Sequence, residues 1–541
     1  MKKKGTVYAV IIAVWLCCTG LLVWSLYNIA VSTEGYPAGR RVFIIIMLSV
    51  NTVVLALLWL GSLKDFIFSA TYAVMHKKFD RIYAGIGRYD PALHGAPRFL
   101  LLYCTCNDFN AEALSACMKQ KYKNFRTLIL DDSSDEEYRV RIDRFAAERG
   151  IEVIRRADKK GFKAGNLNNC LSGRTDYDYF VVLDSDEIIP PDFIEGVLKY
   201  FAYNKKCGAV QARHTASGGN NVFQKLMGLS VGSNGETVQV VKNFYGANAL
   251  IGHGMAISRE CYEKTGGFPL VVAEDISFAV KIKDAGFDVI YAPDILCREE
   301  FPVDYVSLKK RQCKWTQGNL EYMKKFDKEI NRSSMRWFEK LDLKLSHYSL
   351  PIVPVLSLVL TLCTLALGFA GYPVINYALG IYVIMIVFLC SPMIPDLFVY
   401  RKSRNALLLL PYFIVNIATY VSLAPMMIRT VIAGMFGKKA TFIVTPKRSE
   451  KFSVREILRN TRESLIFALI IGALALLACA SILPVIFVVA GCLLSPFIIA
   501  LSNISVKKSE ERGDYIPGGE TVRELPLKSA PARHAKIAVR I

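Results

Sequence analysis

Three acidic clusters have the residue types and spacing to do chemistry. In YFVVLDSDE, Asp184 and Asp186 stand one residue apart at the end of an apolar, β-branched run that reads as a buried strand. Two such carboxylates cannot both stay charged without a cation, and an Asp-x-Asp pair of hard oxygens suits Mg2+ or Mn2+ shared with phosphate oxygens. A lone Asp-x-Asp is more often a turn or a helix cap; the strand before this one, and the other strand-end carboxylates, favour a metal. In AEDISFAVKIKDAGF, Glu274 and Asp275 open an amphipathic helix, where acidic side chains suit the helix dipole. Besides capping, a carboxylate there can act as a general base toward an attacking hydroxyl. In FRTLILDDSS, Asp131 and Asp132 close another strand, and Asn107 and Asp108 follow a third in RFLLLYCTCND.

Two cationic stretches accompany them. KKGFKAGNLN could bring Lys163 and backbone N–H groups close to a phosphate; the plainer reading is a glycine turn with a solvated lysine. In KKRQCKWTQGN, Arg311 and Lys314 share one helical face beside Trp315, pairing phosphate-binding charge with an aromatic platform for a sugar ring. A basic interfacial helix with a membrane-anchoring tryptophan is the alternative, and both can hold.

These residues need a scaffold, and the segment from Arg98 onward supplies one. Short apolar runs alternate with amphipathic stretches, the pattern of a mostly parallel, Rossmann-like α/β sheet that binds ligands beyond the carboxyl ends of its strands. The chain as a whole is too apolar for an ordinary soluble protein, with 52% hydrophobic residues and a mean hydropathy of +0.30. Its net charge of +20 comes with no basic helix, zinc spacing or RNA-binding signature, so nucleic acid is not the expected partner. Lys and Arg at membrane boundaries account for it, together with an anionic substrate. The 14 cysteines form no CxxC pair, as befits a reduced, cytosol-facing protein.

A span needs roughly 20 apolar residues. Six fit: Tyr8 to Val31, Val42 to Leu63, Leu350 to Ala370, Val374 to Pro395, Leu465 to Leu483 and Val485 to Ser505. The apolar stretch 406–436, broken by Pro411 and Pro425, fits poorly as a seventh. One more crossing would put the basic loop after it outside, against the positive-inside rule, so an interfacial or re-entrant segment is expected. The expected organisation is two N-terminal spans (1–65), a cytoplasmic domain (66–345), a C-terminal membrane region (346–505) and a cytoplasmic tail (506–541).

In order, LILDDSS, KAGNLN, LDSDE, AED, RQCKW and the FxVTxK of Phe442, Val444, Thr445 and Lys447 resemble the processive family-2 glycosyltransferases, specifically the bacterial cellulose synthase catalytic subunit and related membrane glucan synthases. The resemblance runs from about Arg98 to Lys447 and includes the arrangement of spans. It implies a GT-A-type cytoplasmic domain set into a helical membrane domain at the cell membrane, and an inverting, processive β-glycosyltransferase that polymerises a UDP-sugar, UDP-glucose first, and passes the polysaccharide through its own spans. By matching position, Cys106, Asp108, Asp131 and Asp132 would contact the uridine, Lys163 the diphosphate, and Asp184 and Asp186 a Mg2+ or Mn2+ ion. Asp275 would be the base, Arg311 and Lys314 would bind the leaving diphosphate, and Glu274 and Trp315 would meet the growing acceptor. The loop 437–452 carrying FxVTxK would gate the site.

The sequence departs from the family at AED for TED, RxxKW for QxxRW, and GHG at Gly252 to Gly254, so linkage or acceptor can differ from cellulose. The tail is too short for the cyclic-dinucleotide-binding barrel of cellulose synthases. An amino-sugar polymer synthase and a single-transfer lipid glycosyltransferase are the alternatives, and a non-enzymatic transporter or scaffold is the third. A homo-oligomer or an envelope partner protein stays open.

Overall fold

The computed structural model describes residues 4–89, 95–216, 219–372, 375, 377–400, 409–440 and 451–506. Seven strands make one mixed sheet: β1 (Phe99–Thr105), β2 (Phe125–Asp131), β3 (Glu152–Ile154), β4 (Tyr179–Leu183), β5 (Cys207–Ala216), β6 (Met255–Ser258) and β7 (Asp288–Glu299). Their order is β3-β2-β1-β4-β6-β5-β7, and β6 alone runs against the rest. The apolar runs are continuous because both faces are covered. Leu101, Tyr103, Ile129, Val181 and Leu183 pack on one side, and Leu100, Leu102, Leu128, Leu130, Phe180 and Val182 on the other. From β1 the chain winds outward through β2 to β3, then returns to place β4 on the opposite side of β1. That reversal opens a crevice at the carboxyl ends of β1 and β4, where ligands of such sheets bind.

Seven described helices are long and apolar enough to cross a membrane: Thr6–Ser32, Ala38–Ile86, Ser349–Phe369, Leu379–Tyr400, Leu409–Met435, Val454–Cys479 and Leu483–Ser502. The sequence reading counted six and gave 406–436 to an interfacial or re-entrant helix; there the structure has one continuous 27-residue helix with Pro425 inside it. A span was also expected to end at Leu63, but its helix runs unbroken for 49 residues to Ile86. At 1.5 Å per residue that is about 74 Å, far longer than the ~30 Å hydrocarbon core. Its distal end is therefore a strut against the sheet domain, where Phe79 stacks on Phe244 at 4.8 Å and Tyr83 accepts a 2.6 Å hydrogen bond from Asn243. Burying each such ring contributes about 1.5–3 kcal/mol, against ~0–1 kcal/mol for an exposed ion pair. Packing, not charge, fixes the strut.

Candidate active site

The loops after β1, β2 and β4 are stitched together by their own polar groups. Asp108 accepts from Thr105 Oγ1 (2.9 Å) and the Cys106 N–H (2.8 Å) with one oxygen, and from Ser185 Oγ (2.6 Å) with the other. Asn107 adopts a left-handed conformation, φ 60°. From it, the side-chain oxygen accepts from the N–H groups of Ser134 (2.9 Å) and Asp135 (3.0 Å). The Cys106 sulfur lies 3.5 Å from the Asp132 carbonyl. Asp131 is buried and held by Arg155 Nε at 2.7 Å and the Ser133 N–H at 2.8 Å. Asp132 is gripped by both forks of Arg156, at 3.0 and 2.7 Å.

Arg156 also donates to the carbonyls of Lys160 and Phe162, each at 2.7 Å, and so shapes the turn that leads to Lys163. Gly165 is required beneath it, since a Cβ there would strike the Lys160 carbonyl and the Arg156 side chain. Neither arginine was singled out from the sequence. Their signal was an Arg-Arg doublet ending IEVIRR, one strand over from the Asp-Asp doublet and neutralising it.

The second half of the site is built around Lys163. It forms an ion pair with Asp184 and donates at 2.8 Å to the carbonyl of Gly252. Burial alone would discharge this ammonium, but Asp184, Cys104 and Glu274 outweigh it and raise its pKa. The Glu274–Asp284 helix presents Glu274 and Asp275 to the same place. A Cβ on Gly252 would lie 3.3 Å from Asp275 Oδ2. Asp275 accepts from the Ile276 N–H at 2.8 Å, and among the described residues neither carboxylate is in a salt bridge. Burial therefore raises both, Glu274 to about 8, with Asp275 beside it adding repulsion.

The Tyr305–Arg332 helix closes this half. Burial lowers the Lys314 pKa while the charges of Asp184 and Glu274 resist. Arg311 lies between the rings of Phe301 and Trp315, 4.7 and 4.6 Å from their centroids, and Trp315 is 44% exposed. Asp184, Asp186, Glu274 and Asp275 thus gather at one end of the sheet with Lys163, Lys314 and Arg311. The Asp184–Lys163 pair shows that this corner attracts a cation, and its oxygen donors fit Mg2+ or Mn2+. Phe442, Val444, Thr445 and Lys447 lie outside the described residues.

A second cluster beside the Asp-x-Asp also escaped the sequence reading. Glu187, fully buried, faces His214 Nε2 at 3.0 Å and His253 Nδ1 at 3.3 Å, and His253 Nε2 lies 3.2 Å from Glu299. Against the cost of burial, the two imidazoles hold the Glu187 pKa down to about 2. These donors and Cys297 lie within 4.8 Å of one another in two groups of three, as metal ligands would. However, the two imidazole rings stack at 4.5 Å and 34°, so their in-plane lone pairs do not converge on one ion. Burial also raises the Cys297 pKa. The cluster is a charge network, signalled in the sequence only by the third acid of LDSDE and by GHG.

Residues 179–427, from β4 into the Leu409–Met435 helix, match the model for "Glycosyl transferase family group 2". A probable glucomannan 4-beta-mannosyltransferase 6 of Oryza sativa subsp. japonica is 27% identical over 218 residues, covering 37% of each chain. The beta-monoglucosyldiacylglycerol synthase of Synechocystis is 26% identical over 241 residues, 43% of this chain and 50% of that one. The glucans biosynthesis glucosyltransferase H of Vibrio cholerae is 24% identical over 253 residues, 43% of this chain and 34% of that one. The chain thus spans a third to a half of the length of these relatives. Residues 179–427, which carry Asp184, Asp186, the Glu274–Asp284 helix and the basic Tyr305–Arg332 helix, are thus similar to the glycosyltransferase domains of family group 2.

Proposed function

We propose that the protein is a membrane-embedded, inverting β-glycosyltransferase that polymerises a nucleoside-diphosphate sugar, UDP-glucose first, and passes the polymer through its own helices. The observation that carries this reading is the meeting of Asp184, Lys163, Glu274, Asp275 and Lys314 at the crevice of the sheet. Asp131, Asp132, Cys106 and Asp108 line the nucleoside side, their loops already set by Arg155 and Arg156. Asp184 and Asp186 would hold Mg2+ or Mn2+, which when bound neutralises the diphosphate and makes it a better leaving group.

Asp275 takes the proton of an acceptor hydroxyl, whose oxygen attacks the anomeric carbon as the bond to the diphosphate breaks on the opposite face. Lys163, Lys314 and Arg311 meet the charge that collects on the departing diphosphate. An α-linked donor then gives a β-linked product. Trp315, exposed and flat beside Arg311, suits stacking of the acceptor sugar.

The Leu409–Met435 helix fits the membrane surface better than a crossing. It lies along the charged Tyr305–Arg332 helix: Tyr305 OH meets Ser422 Oγ at 2.8 Å, Cys313 meets Thr430 at 3.6 Å, and Lys324 donates to the Gly434 carbonyl at 2.8 Å. A partner bearing Lys309, Lys310, Arg311, Lys314 and Lys324 does not belong in hydrocarbon. Six crossings then leave the sheet domain, both ends and the loop 437–452 on the cytoplasmic side of the cell membrane, and the FxVTxK motif in that loop is proposed as the gate.

The test is nucleoside-diphosphate release by the purified protein in detergent with Mg2+ or Mn2+, from UDP-glucose, UDP-N-acetylglucosamine, UDP-galactose, UDP-glucuronate and GDP-mannose, with products sized. Long polymer from one donor supports the reading and names the sugar; an amino-sugar donor selects the amino-sugar synthase. Only organic-extractable glycolipid overturns processivity, and no donor-dependent release overturns the enzyme.

A further inference from the structure

The chain leaving the Asp-x-Asp does not hang free. Ile188 and Arg298 exchange both backbone hydrogen bonds, each 2.9 Å, in an antiparallel bridge between the loop after β4 and the end of β7. That pairing sets Glu187 across from Glu299, two carboxylates that would repel one another. The His253 ring stands between them, 3.3 Å from Glu187 at Nδ1 and 3.2 Å from Glu299 at Nε2. Its backbone is held as firmly: Gln211, buried on β5, donates to the His253 carbonyl at 2.9 Å and accepts from the Ile251 N–H at 2.8 Å.

The two glycines flanking His253 show how tightly this turn is wedged. Gly254, φ 57°, gives its N–H to Glu187 at 2.9 Å, and a Cβ there would strike both Glu187 and His214. Gly252, φ 93°, offers the carbonyl that holds Lys163 and lies against Asp275. One turn therefore touches the residue after the Asp-x-Asp, the lysine paired with Asp184, and the proposed base.

We propose that His253 is a positioning residue for the metal and donor site, an inference that rests on the glycosyl-transfer reading above. By tying Glu187 to Glu299 it locks the Asp184–Asp186 turn to β7, and through Gly252 it holds Lys163 against Asp184. Both ring nitrogens face the glutamates, so it acts through them and not on the substrate. Outer partners of this kind set metal affinity by about 10- to 100-fold in other proteins.

The experiment uses the full-length protein in detergent and compares His253→Gln, Glu299→Gln and the double variant. Mn2+ binding in the presence of UDP is read by electron paramagnetic resonance, beside donor KM, kcat and melting temperature. Each single change is expected to weaken Mn2+ binding about 10-fold and to raise donor KM more than it lowers kcat. The double variant should be no worse than either single, because the two residues act as one unit. Unchanged Mn2+ affinity in the singles overturns the proposal, as does a lower melting temperature with Mn2+ affinity intact, or effects that multiply in the double. The near-isosteric Glu299→Gln carries the test if His253→Gln does not fold. A wild-type protein that binds Mn2+ with UDP yet transfers no sugar sinks the glycosyl-transfer reading and leaves the brace standing. Normal transfer with unaltered variants sinks only the brace.

Discussion

The Asp131–Asp132 pair and the Glu274–Asp275 pair look alike in sequence, yet they are opposites in the fold. Asp131 and Asp132 meet Arg155 and Arg156, each carboxylate answered by a guanidinium at 2.7 Å. Among the described residues no arginine pairs with Glu274 or Asp275, and burial drives both pKa values up, Glu274 to about 8. The first pair is a finished part of the scaffold; its charge is used in holding loops. The second is kept at high energy, which suits groups that must take up a proton. Two acids side by side thus say little until their cations are known.

Replacing the base should have the largest effect. Asp275→Asn is expected to lower kcat by about 10²- to 10⁴-fold while UDP-sugar binding holds, as measured by initial rates and equilibrium binding. Unchanged turnover would remove Asp275 from the mechanism. Asp184→Asn should abolish the stimulation by Mn2+, measured by titrating the ion against a fixed donor concentration; normal stimulation would move the ion elsewhere.

Stability sharpens the contrast, because removing a charge should act in opposite directions in the two halves. Arg156→Ala strands Asp132 in a nearly buried position and should cost about 3–5 kcal/mol, seen as a clear drop in melting temperature. Glu274→Gln should raise it by a few degrees near neutral pH. The sign follows from linkage: the folded protein binds the Glu274 proton more tightly than the unfolded chain does. That contribution is full below the ordinary carboxylate range and is lost as pH rises toward about 8. The gain from Glu274→Gln should therefore shrink on acidification, and a gain independent of pH would assign the effect to packing. The acid limb of kcat, requiring an ionised Asp275, should likewise sit above the ordinary carboxylate range.

Much of the fold was legible in the sequence. Apolar runs such as RFLLLY and YFVVL are buried on both faces and became β1 and β4, with the polar residues of CND and DSDE at their carboxyl ends. The membrane helices were legible by length and hydropathy, except where the second continues to Ile86. That polar extension is held by contacts such as Phe79 on Phe244, which no local periodicity encodes. The Leu409–Met435 helix falls where an interfacial or re-entrant helix was expected, and it runs unbroken through its two prolines: Pro411 lies in its first turn, where the missing N–H costs nothing, and Pro425 is carried inside by packing against the Tyr305–Arg332 helix.

By itself the sequence determined which residues are strand-end acids, which helices are apolar enough for lipid, and the motif order shared with family-2 glycosyltransferases. All three are local properties, set by residue type and spacing along one segment. Only the tertiary structure decided which carboxylates are already neutralised. Arg156 comes to Asp132 from a strand away, Lys163 reaches Asp184 and Gly252 on two separate loops, and His253 falls between Glu187 and Glu299 because the loop after β4 bridges to β7 at Ile188 and Arg298. Coulomb energy depends on distance in space and on burial, not on separation along the chain.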